Sequence, residues 1–289
     1  MPLLLHLGVG GPVWLDWSLH VDALILVIVL GWCYAYAVNE LRPRVSDAGR
    51  VKRSQVLLFV GGLAALFAAG GTPLHDLGER YWLSAHMTQH LLFTLVAPPL
   101  LIAGTPAWLW KWLLGGRFVL PVARVLTRPL IAFSIFNALL VLTHLPPTVD
   151  LALRVGAFHF AIHAVLVLSA MLMWWPILSP LPELPRLSYP MQMGYLFLQS
   201  LLPSVIASFI TFADSVVYRS YADAPRLLGI SALADQQIAG GLMKVGGSII
   251  LWSFMAVVFF KWYAREESDS QEPRWGDIEA ELSQLGLER

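Results

Sequence analysis

Two pairs of histidines have the spacing that places both side chains on one face of a helix. His86 and His90 begin one apolar run, and His159 and His163 begin another. Residues i and i+4 lie about 6 Å apart along a helix axis. Because an ionisable or metal-binding side chain is costly in hydrocarbon, each pair is expected to face the protein interior. The two pairs therefore predict a site between helices.

The residue types leave three interpretations of this site. Neutral imidazole is the commonest protein ligand for transition metals. Without thiolate ligands the set favours copper or zinc, and a nearby thioether would favour Cu(I). One histidine from each of two helices could instead provide the axial ligands of haem. The third interpretation is structural, with imidazoles that form hydrogen bonds between helices.

The composition indicates a membrane protein. Of 289 residues, 57% are hydrophobic and 13% are charged, and the mean hydropathy is +0.65, which is not typical of a soluble domain. The formal net charge is zero, so nucleic acid is not expected as a partner. The single cysteine, Cys33, excludes an intrachain disulfide and a Cys-x-x-Cys site. Zinc-protease, phosphate-loop and serine-nucleophile motifs are missing, and no enzyme activity is predicted.

Seven apolar runs approach or exceed the roughly 20 residues that span a bilayer. A bilayer admits only helices or closed barrels, and these runs lack two-residue alternation, so they predict helices. The predicted fold class is all-α, a polytopic membrane protein with a transmembrane domain over 1–263 and a polar cytoplasmic tail over 264–289. The predicted spans are 20–39, 55–71, 84–103, 129–145, 156–175, 190–213 and 236–262.

The distribution of Lys and Arg predicts the orientation of these spans. Most of these residues lie in the first, third and fifth connections and in the tail. Because positive charge is retained in the cytoplasm, the N-terminus is predicted outside and the C-terminus in the cytoplasm. On this topology all eight histidines lie at or near the outer face.

Four further side chains are candidate ligands near the histidine pairs. His144 ends the fourth run, and His75 lies in the second connection. Met87 is adjacent in sequence to His86, but consecutive helical residues diverge by about 100°. Met243, in the outer part of the last run, is therefore the better candidate for a thioether ligand.

Lys244 is a charged residue within the last run. It lies roughly 13 Å along the helix from Asp235, in the outer half of the membrane, where a lysine requires a partner or a cavity. Snorkelling toward the interface is the alternative. Asp214 and Asp235, at the outer ends of the sixth and seventh runs, are candidate counter-charges or partners that orient a metal-bound imidazole.

Several motifs in the chain resemble one family of bacterial membrane proteins. His86-Met87-Thr88-Gln89-His90, followed by Val96-Ala97-Pro98-Pro99-Leu100-Leu101 and Gly104-Thr105-Pro106, is similar to the hallmark of the CtaG-like cytochrome c oxidase assembly factors. The resemblance extends from about residue 20 to 263. It includes His159-x-x-x-His163, Trp174-Trp175-Pro176, Asp235-Gln236-Gln237 and Gly240-Gly241-Leu242-Met243. It implies a seven-helix protein that assists maturation of a haem–copper oxidase by handling copper.

These observations lead to one hypothesis and two alternatives. The hypothesis is a multi-pass protein of the bacterial plasma (inner) membrane that holds copper at the periplasmic face. The expected ligands are His86, His90, His159 and His163, with His144 next. Copper would arrive from a periplasmic donor and pass by ligand exchange to a haem–copper oxidase subunit. The alternatives are a haem-binding electron carrier or oxidoreductase, and a metal-free assembly scaffold.

Overall fold

The computed structural model describes residues 18, 20–45, 48–269, 279 and 282–285. This part of the chain is 80% helical and contains no strand, which confirms the all-helical membrane fold class. His6 and most of the predicted polar tail lie outside the described residues. The last helix runs on to Asp269, past residue 263.

Fourteen α-helices follow one another along the described chain. Three short π-helical segments continue α1, α4 and α13, at Ala37–Leu41, Leu92–Val96 and Leu242–Gly246. The helices are α1 (Val21–Tyr36), α2 (Arg53–Gly70), α3 (Pro73–Arg80), α4 (Leu83–Leu91), α5 (Ala97–Gly104), α6 (Ala107–Leu114), α7 (Val119–Leu126), α8 (Pro129–Thr143), α9 (Pro146–Arg154), α10 (Gly156–Leu178), α11 (Tyr189–Thr211), α12 (Arg219–Ala222), α13 (Ala232–Gly241) and α14 (Gly247–Asp269).

Six helical segments of the described chain are long and apolar enough to cross a membrane. The fourth predicted span differs from the rest, because α8 has 15 residues and is only about 22 Å long. Helix α7 precedes it at a bend of 75°. The number of spans reaches seven only if this bent pair counts as one. The orientation of the termini stays a prediction.

Many large apolar side chains are exposed and several polar ones are buried, the reverse of the distribution in a soluble protein. Large apolar side chains face outward, among them Leu57, which is 71% exposed, and Phe209, which is 77% exposed. Glutamines are buried instead, and Gln89 and Gln236 are 0% and 1% exposed. Since apolar surface is stable in lipid while polar groups require partners there, this distribution agrees with a membrane-embedded bundle.

The span that begins with α4 contains a π-helical turn next to two prolines. Pro98 and Pro99 have no backbone N–H, so the carbonyls one turn earlier lose their helical donors. One of these carbonyls belongs to Thr94, and the Trp174 indole of α10 donates to it at 2.9 Å. Trp174 is fully buried. This bond ties α10 to the middle of the α4–α5 span.

Three short helices lie over one end of the bundle. Among them, α3 packs against α4, and α9 packs against α12 and the end of α10. The Tyr221 hydroxyl of α12 donates to the Gly78 carbonyl of α3 at 2.6 Å, and Tyr218 donates to the His144 carbonyl at 3.0 Å. Burial raises the pKa of Tyr221, so its phenol stays protonated and serves as a donor. These helices cover the histidine-bearing ends of α4, α8 and α10.

Gly78 permits the close approach of α3 to α4. A Cβ at this position would lie 3.0 Å from the backbone nitrogen of His86 and would also contact Gln89 Oε1. Gln89 cannot simply turn away, because its amide donates to the Ala69 carbonyl at 2.7 Å. The close packing therefore depends on the missing side chain.

Substitution Gly78→Ala is expected to push α3 away from α4 and to destabilise the protein by about 1–3 kcal/mol, as overpacking does. Thermal unfolding of the detergent-purified chain measures this change. Gly194→Ala is the matched control, because a Cβ there has no neighbour within 4 Å and alanine favours the helix. Equal unfolding temperatures for the two variants would contradict the proposed contact.

Candidate metal centre

The seven described histidines form one continuous set at the covered end of the bundle. Each imidazole has its ring centroid within 6.4 Å of at least one other. Ring contacts connect these residues in the order His20, His75, His159, His163, His86, His90 and His144. Both predicted histidine pairs therefore face the protein interior and meet there.

Three of these imidazoles are close enough to share one ion. One nitrogen each from His86, His159 and His163 lies within 4.8 Å of the others. The His159 and His163 rings are 4.2 Å apart, and the His86 ring is 5.5 Å from His159 and 5.7 Å from His163. All three residues are buried. We refer to these residues as the outer triad.

The ends of two helices position the outer triad. Helix α10 carries His159 and His163 one turn apart, and α4 carries His86 four residues after its N-cap. Asp235 of α13 receives the backbone N–H of Leu83 at 2.6 Å and also bonds Ser84. A carboxylate at a helix N-terminus satisfies free N–H groups and complements the helix dipole. Asp235 therefore fixes where α4 begins, and with it the depth of His86.

Glu79 of α3 connects two histidines through one carboxylate oxygen. Its Oε1 lies 2.6 Å from His159 Nδ1 and 2.8 Å from His75 Nε2. Because a carboxylate accepts, the proton of His159 is on Nδ1 and its Nε2 keeps a lone pair. Nε2 is buried and has no partner in the structure. A carboxylate behind a histidine is the arrangement that orients a metal-binding imidazole in proteins.

Gln89 fixes the tautomer of His75. The Gln89 amide nitrogen donates to the Ala69 carbonyl at 2.7 Å and lies 2.9 Å from His75 Nδ1. His75 Nδ1 therefore accepts, and its Nε2 proton is directed to Glu79. Both nitrogens of His75 are engaged, so His75 supports the site through Glu79 and does not offer a free lone pair.

The charge of Glu79 is favoured by its two histidine partners. Burial opposes ionisation of this carboxyl group, but the hydrogen bonds from His159 and His75 outweigh burial and hold the pKa of Glu79 well below its usual range. Its side chain is 31% exposed, so it lies at the rim of the cluster. The carboxylate therefore supplies negative charge at the edge of the cluster.

His90 and His144 lie on the far side of the outer triad from Glu79. Their ring centroids are 5.4 Å apart, and His90 is also 5.4 Å from His163. His144 Nδ1 donates to the Leu140 carbonyl at 2.7 Å, which leaves the lone pair on Nε2. His144 Nε2 and both nitrogens of His90 are buried without a partner. These orphaned nitrogens, like those of the triad, fit ligands for a cation.

A protein-family model matches residues 32–265 of the chain, and its description is cytochrome c oxidase caa3 assembly factor. The match spans more than half of the sequence. The chain belongs to this family. The resemblance deduced from the His-x-x-x-His motifs is thus confirmed. Comparison with curated proteins and comparison with solved structures each found no match.

Membership in the caa3 assembly-factor family implies a partner oxidase and a place in the membrane. The family model begins within α1 and ends within α14, so it includes every described histidine except His20. The histidine centre is accordingly part of the assembly-factor domain. The structure brings the predicted residues His86, His90, His159 and His163 together, and their role as metal ligands stays a prediction.

The remaining predicted site residues of this assembly factor lie in different surroundings. Met87 and Met243 are buried in one apolar cluster beside His90 and His144. Lys244 donates to Ser208 at 3.0 Å. Asp214 is exposed. Within the described chain, no hydrogen bond joins Asp214 or Asp235 to an imidazole or to Lys244.

Glu79 is a site residue that the sequence prediction missed. It follows His75 by four residues in the short helix α3, which is the same spacing that identified the histidine pairs. The connection that contains it is short and polar, so it lies outside the apolar runs on which the prediction concentrated. The His75-x-x-x-Glu79 spacing was the available signal.

The hydrogen bonds predict distinct tautomers within the cluster. His159 and His144 are expected to carry their protons on Nδ1, and His75 on Nε2. Nitrogen-15 correlation spectra of histidine-labelled protein distinguish these forms, with assignment by single His→Gln variants. Observation of His159 with its proton on Nε2 would contradict the bond to Glu79.

Proposed function

We propose that this assembly factor binds one copper ion at His86, His159 and His163 and transfers it to a subunit of a haem–copper oxidase. The observation that carries the proposal is the convergence of three buried imidazole nitrogens within 4.8 Å. The ion is cargo, so the chain acts by ligand exchange. Membership in an assembly-factor family supports a non-catalytic role.

Unpartnered imidazole nitrogens favour a bound ion over a structural role. A buried polar group that makes no hydrogen bond costs about 1–3 kcal/mol. The triad contains such atoms in all three members, at His86 Nδ1, His159 Nε2 and His163 Nε2. If these histidines only linked helices, their nitrogens would be paired across the interface. A cation bound between the three rings would give partners to imidazole nitrogens that lack them.

The donor set and the family together support copper. Three neutral imidazoles with no thiolate suit copper or zinc. The family serves cytochrome c oxidase, and a haem–copper oxidase requires copper. Glu79 lies at the rim and contacts the triad through His159 alone, so the ion would keep most of its positive charge. Weak charge compensation favours release, which a carrier needs.

Haem is the less favourable cargo for this geometry. Axial ligands on opposite faces of a porphyrin require an open slot between them. Here the rings of His159 and His163 are 4.2 Å apart, and those of His86 and His90 are 4.5 Å apart. Neighbouring imidazoles therefore occupy the space that the macrocycle would need.

The proposed route begins at the rim of the cluster. His75 and Glu79 have side chains that are 15% and 31% exposed, whereas the triad is buried. A periplasmic copper donor would approach this rim, and the oxidase subunit would collect the ion from the same face. This assignment follows the predicted orientation, with the N-terminus outside and the protein in the bacterial inner membrane.

The double variant His86→Ala, His159→Ala tests the proposal. Removal of two of three ligands is expected to reduce bound copper by about one ion per chain, because a single remaining imidazole binds weakly. Metal analysis of the detergent-purified chain and an absorption spectrum measure copper and haem together. In cells, the variant should lower oxidase activity, and added copper should partly restore it.

His20→Gln is the matched control, since His20 bonds Asp76 outside the triad and its loss should leave copper binding intact. Normal oxidase maturation by the double variant would contradict copper delivery and support a scaffold. A Soret band in the wild-type chain that the double variant lacks would identify haem instead.

Substitution Glu79→Gln tests the carboxylate behind His159. The glutamine amide retains the size of the side chain but has no charge. Its nitrogen donates hydrogen bonds, whereas both oxygens of the carboxylate accept them. By analogy with carboxylates that support metal-bound histidines, copper affinity is expected to fall by about 10–100-fold. Competition with a chromophoric copper chelator measures this affinity.

Glu183→Gln is the control for Glu79→Gln, because Glu183 lies 3.9 Å from Lys111 and has no contact with the histidine cluster. Unchanged copper affinity in Glu79→Gln would exclude Glu79 from the support of the site.

A further inference from the structure

We propose a second metal site, selective for Cu(I), formed by His90, His144, Met87 and Met243 on the inner side of the outer triad. We refer to these four residues as the inner site. The proposal deepens the proposed function and rests on it only for the identity of the metal as copper. The geometry that supports the inner site is separate from that of the outer triad.

The four side chains line one cavity of about 40 Å³. Met87 and His90 are three residues apart on α4, so they lie on adjacent parts of one helix face. His144 follows α8, and Met243 lies in the π-helical segment Leu242–Gly246. The cavity exceeds the roughly 10–15 Å³ that is needed to hold a single water, so there is room for a cation where three separate spans meet.

Both imidazoles of the inner site have nitrogens that lack a partner. His90 is 8% exposed and His144 is 5% exposed. Both nitrogens of His90 and Nε2 of His144 are buried without a hydrogen bond, while His144 Nδ1 is held by the Leu140 carbonyl. The lone pair of His144 is therefore on Nε2, the nitrogen that has no hydrogen-bond partner. The rings stand nearly perpendicular, at 87°.

The thioethers distinguish the inner site from the outer triad. Met87 and Met243 are 2% and 7% exposed and belong to the same buried cluster. Thioether sulfur is a soft ligand that prefers Cu(I) to divalent ions. The nitrogen set of the outer triad, in contrast, accepts copper or zinc alike. Two imidazoles and two thioethers would supply four ligands for a monovalent ion.

The absence of charge in the cavity wall also favours a monovalent ion. Among the described residues that line the cavity, none is Asp, Glu, Lys or Arg. The penalty for burying an ion rises with the square of its charge in the Born description, so an uncompensated divalent ion is strongly disfavoured. Cu(I) in a neutral shell carries a single positive charge.

His90 is placed to connect the two sites. Its ring lies 4.5 Å from His86 and 5.4 Å from both His163 and His144. A ligand that can reach both shells allows an ion to move by exchange of one ligand at a time. Because the two sites have separate ligands, the chain would hold two copper ions, one in each site. A single ion would not be shared by all the histidines.

Anaerobic titration of the full-length, detergent-purified chain with Cu(I) tests this proposal. The wild-type chain is expected to bind two ions. Copper-edge X-ray absorption should then detect about one sulfur ligand per copper on average, because only the inner site has thioethers. Zn(II), which disfavours thioether ligands, is expected to bind with a stoichiometry of one.

The variant Met87→Leu, Met243→Leu should lose one copper and all sulfur scattering while it retains the nitrogen-bound ion. The retained ion shows that the variant is folded. The control Met171→Leu, Met191→Leu removes two methionines that do not line the cavity. It should leave the number of bound copper ions and the sulfur scattering unchanged. The variant His86→Ala, His159→Ala should keep one copper with about two sulfur ligands.

The possible failures are distinguishable. A wild-type stoichiometry of one with nitrogen scattering only would overturn the inner site and leave the outer triad standing. Sulfur scattering that persists in Met87→Leu, Met243→Leu would also overturn the inner site. Failure of the chain to bind any copper would overturn both this proposal and the proposed function.

Discussion

A single carboxylate oxygen organises the histidine cluster. Glu79 Oε1 accepts from His75 and His159, and His75 in turn accepts from the Gln89 amide. Because each bond determines the tautomer of the next ring, the chain of donors and acceptors leaves one lone pair free, at His159 Nε2. The same bonds connect α3, α4 and α10, so the orientation of the ligands and the packing of the helices depend on each other.

The helix ends near the cluster are held by polar contacts that lipid cannot replace. Asp235 caps α4, the Tyr221 hydroxyl bonds the Gly78 carbonyl, and Trp174 bonds the Thr94 carbonyl. These groups are buried, so water does not compete for them and each contact constrains the helix that carries it. The histidine-bearing ends of the spans are therefore held in place by several polar contacts. Movement of cargo through the cluster would then require exchange of ligands on a fixed frame.

The unpartnered imidazoles represent a cost that the folded chain carries. Buried polar atoms without partners destabilise a protein, and such imidazole nitrogens occur in five neighbouring residues, His86, His90, His144, His159 and His163. In the proposed function a bound cation removes that cost. Under the same proposal, a shell of imidazoles without carboxylate ligands would bind the ion less firmly than a charged one, which would suit delivery to a partner oxidase.

Local patterns in the sequence determined the helical membrane fold, the family and the shared face of each histidine pair. Hydropathy and i, i+4 spacing act within one helix, so they need no knowledge of its neighbours. The tertiary structure alone decided that Glu79 supports His159, that Asp235 caps α4, that α8 is short and preceded by a bend, and that His144 faces His90 and not the triad. Those relations depend on how each helix is rotated and how deep it lies relative to its neighbours. The periodicity within a single helix determines neither its rotation nor its depth.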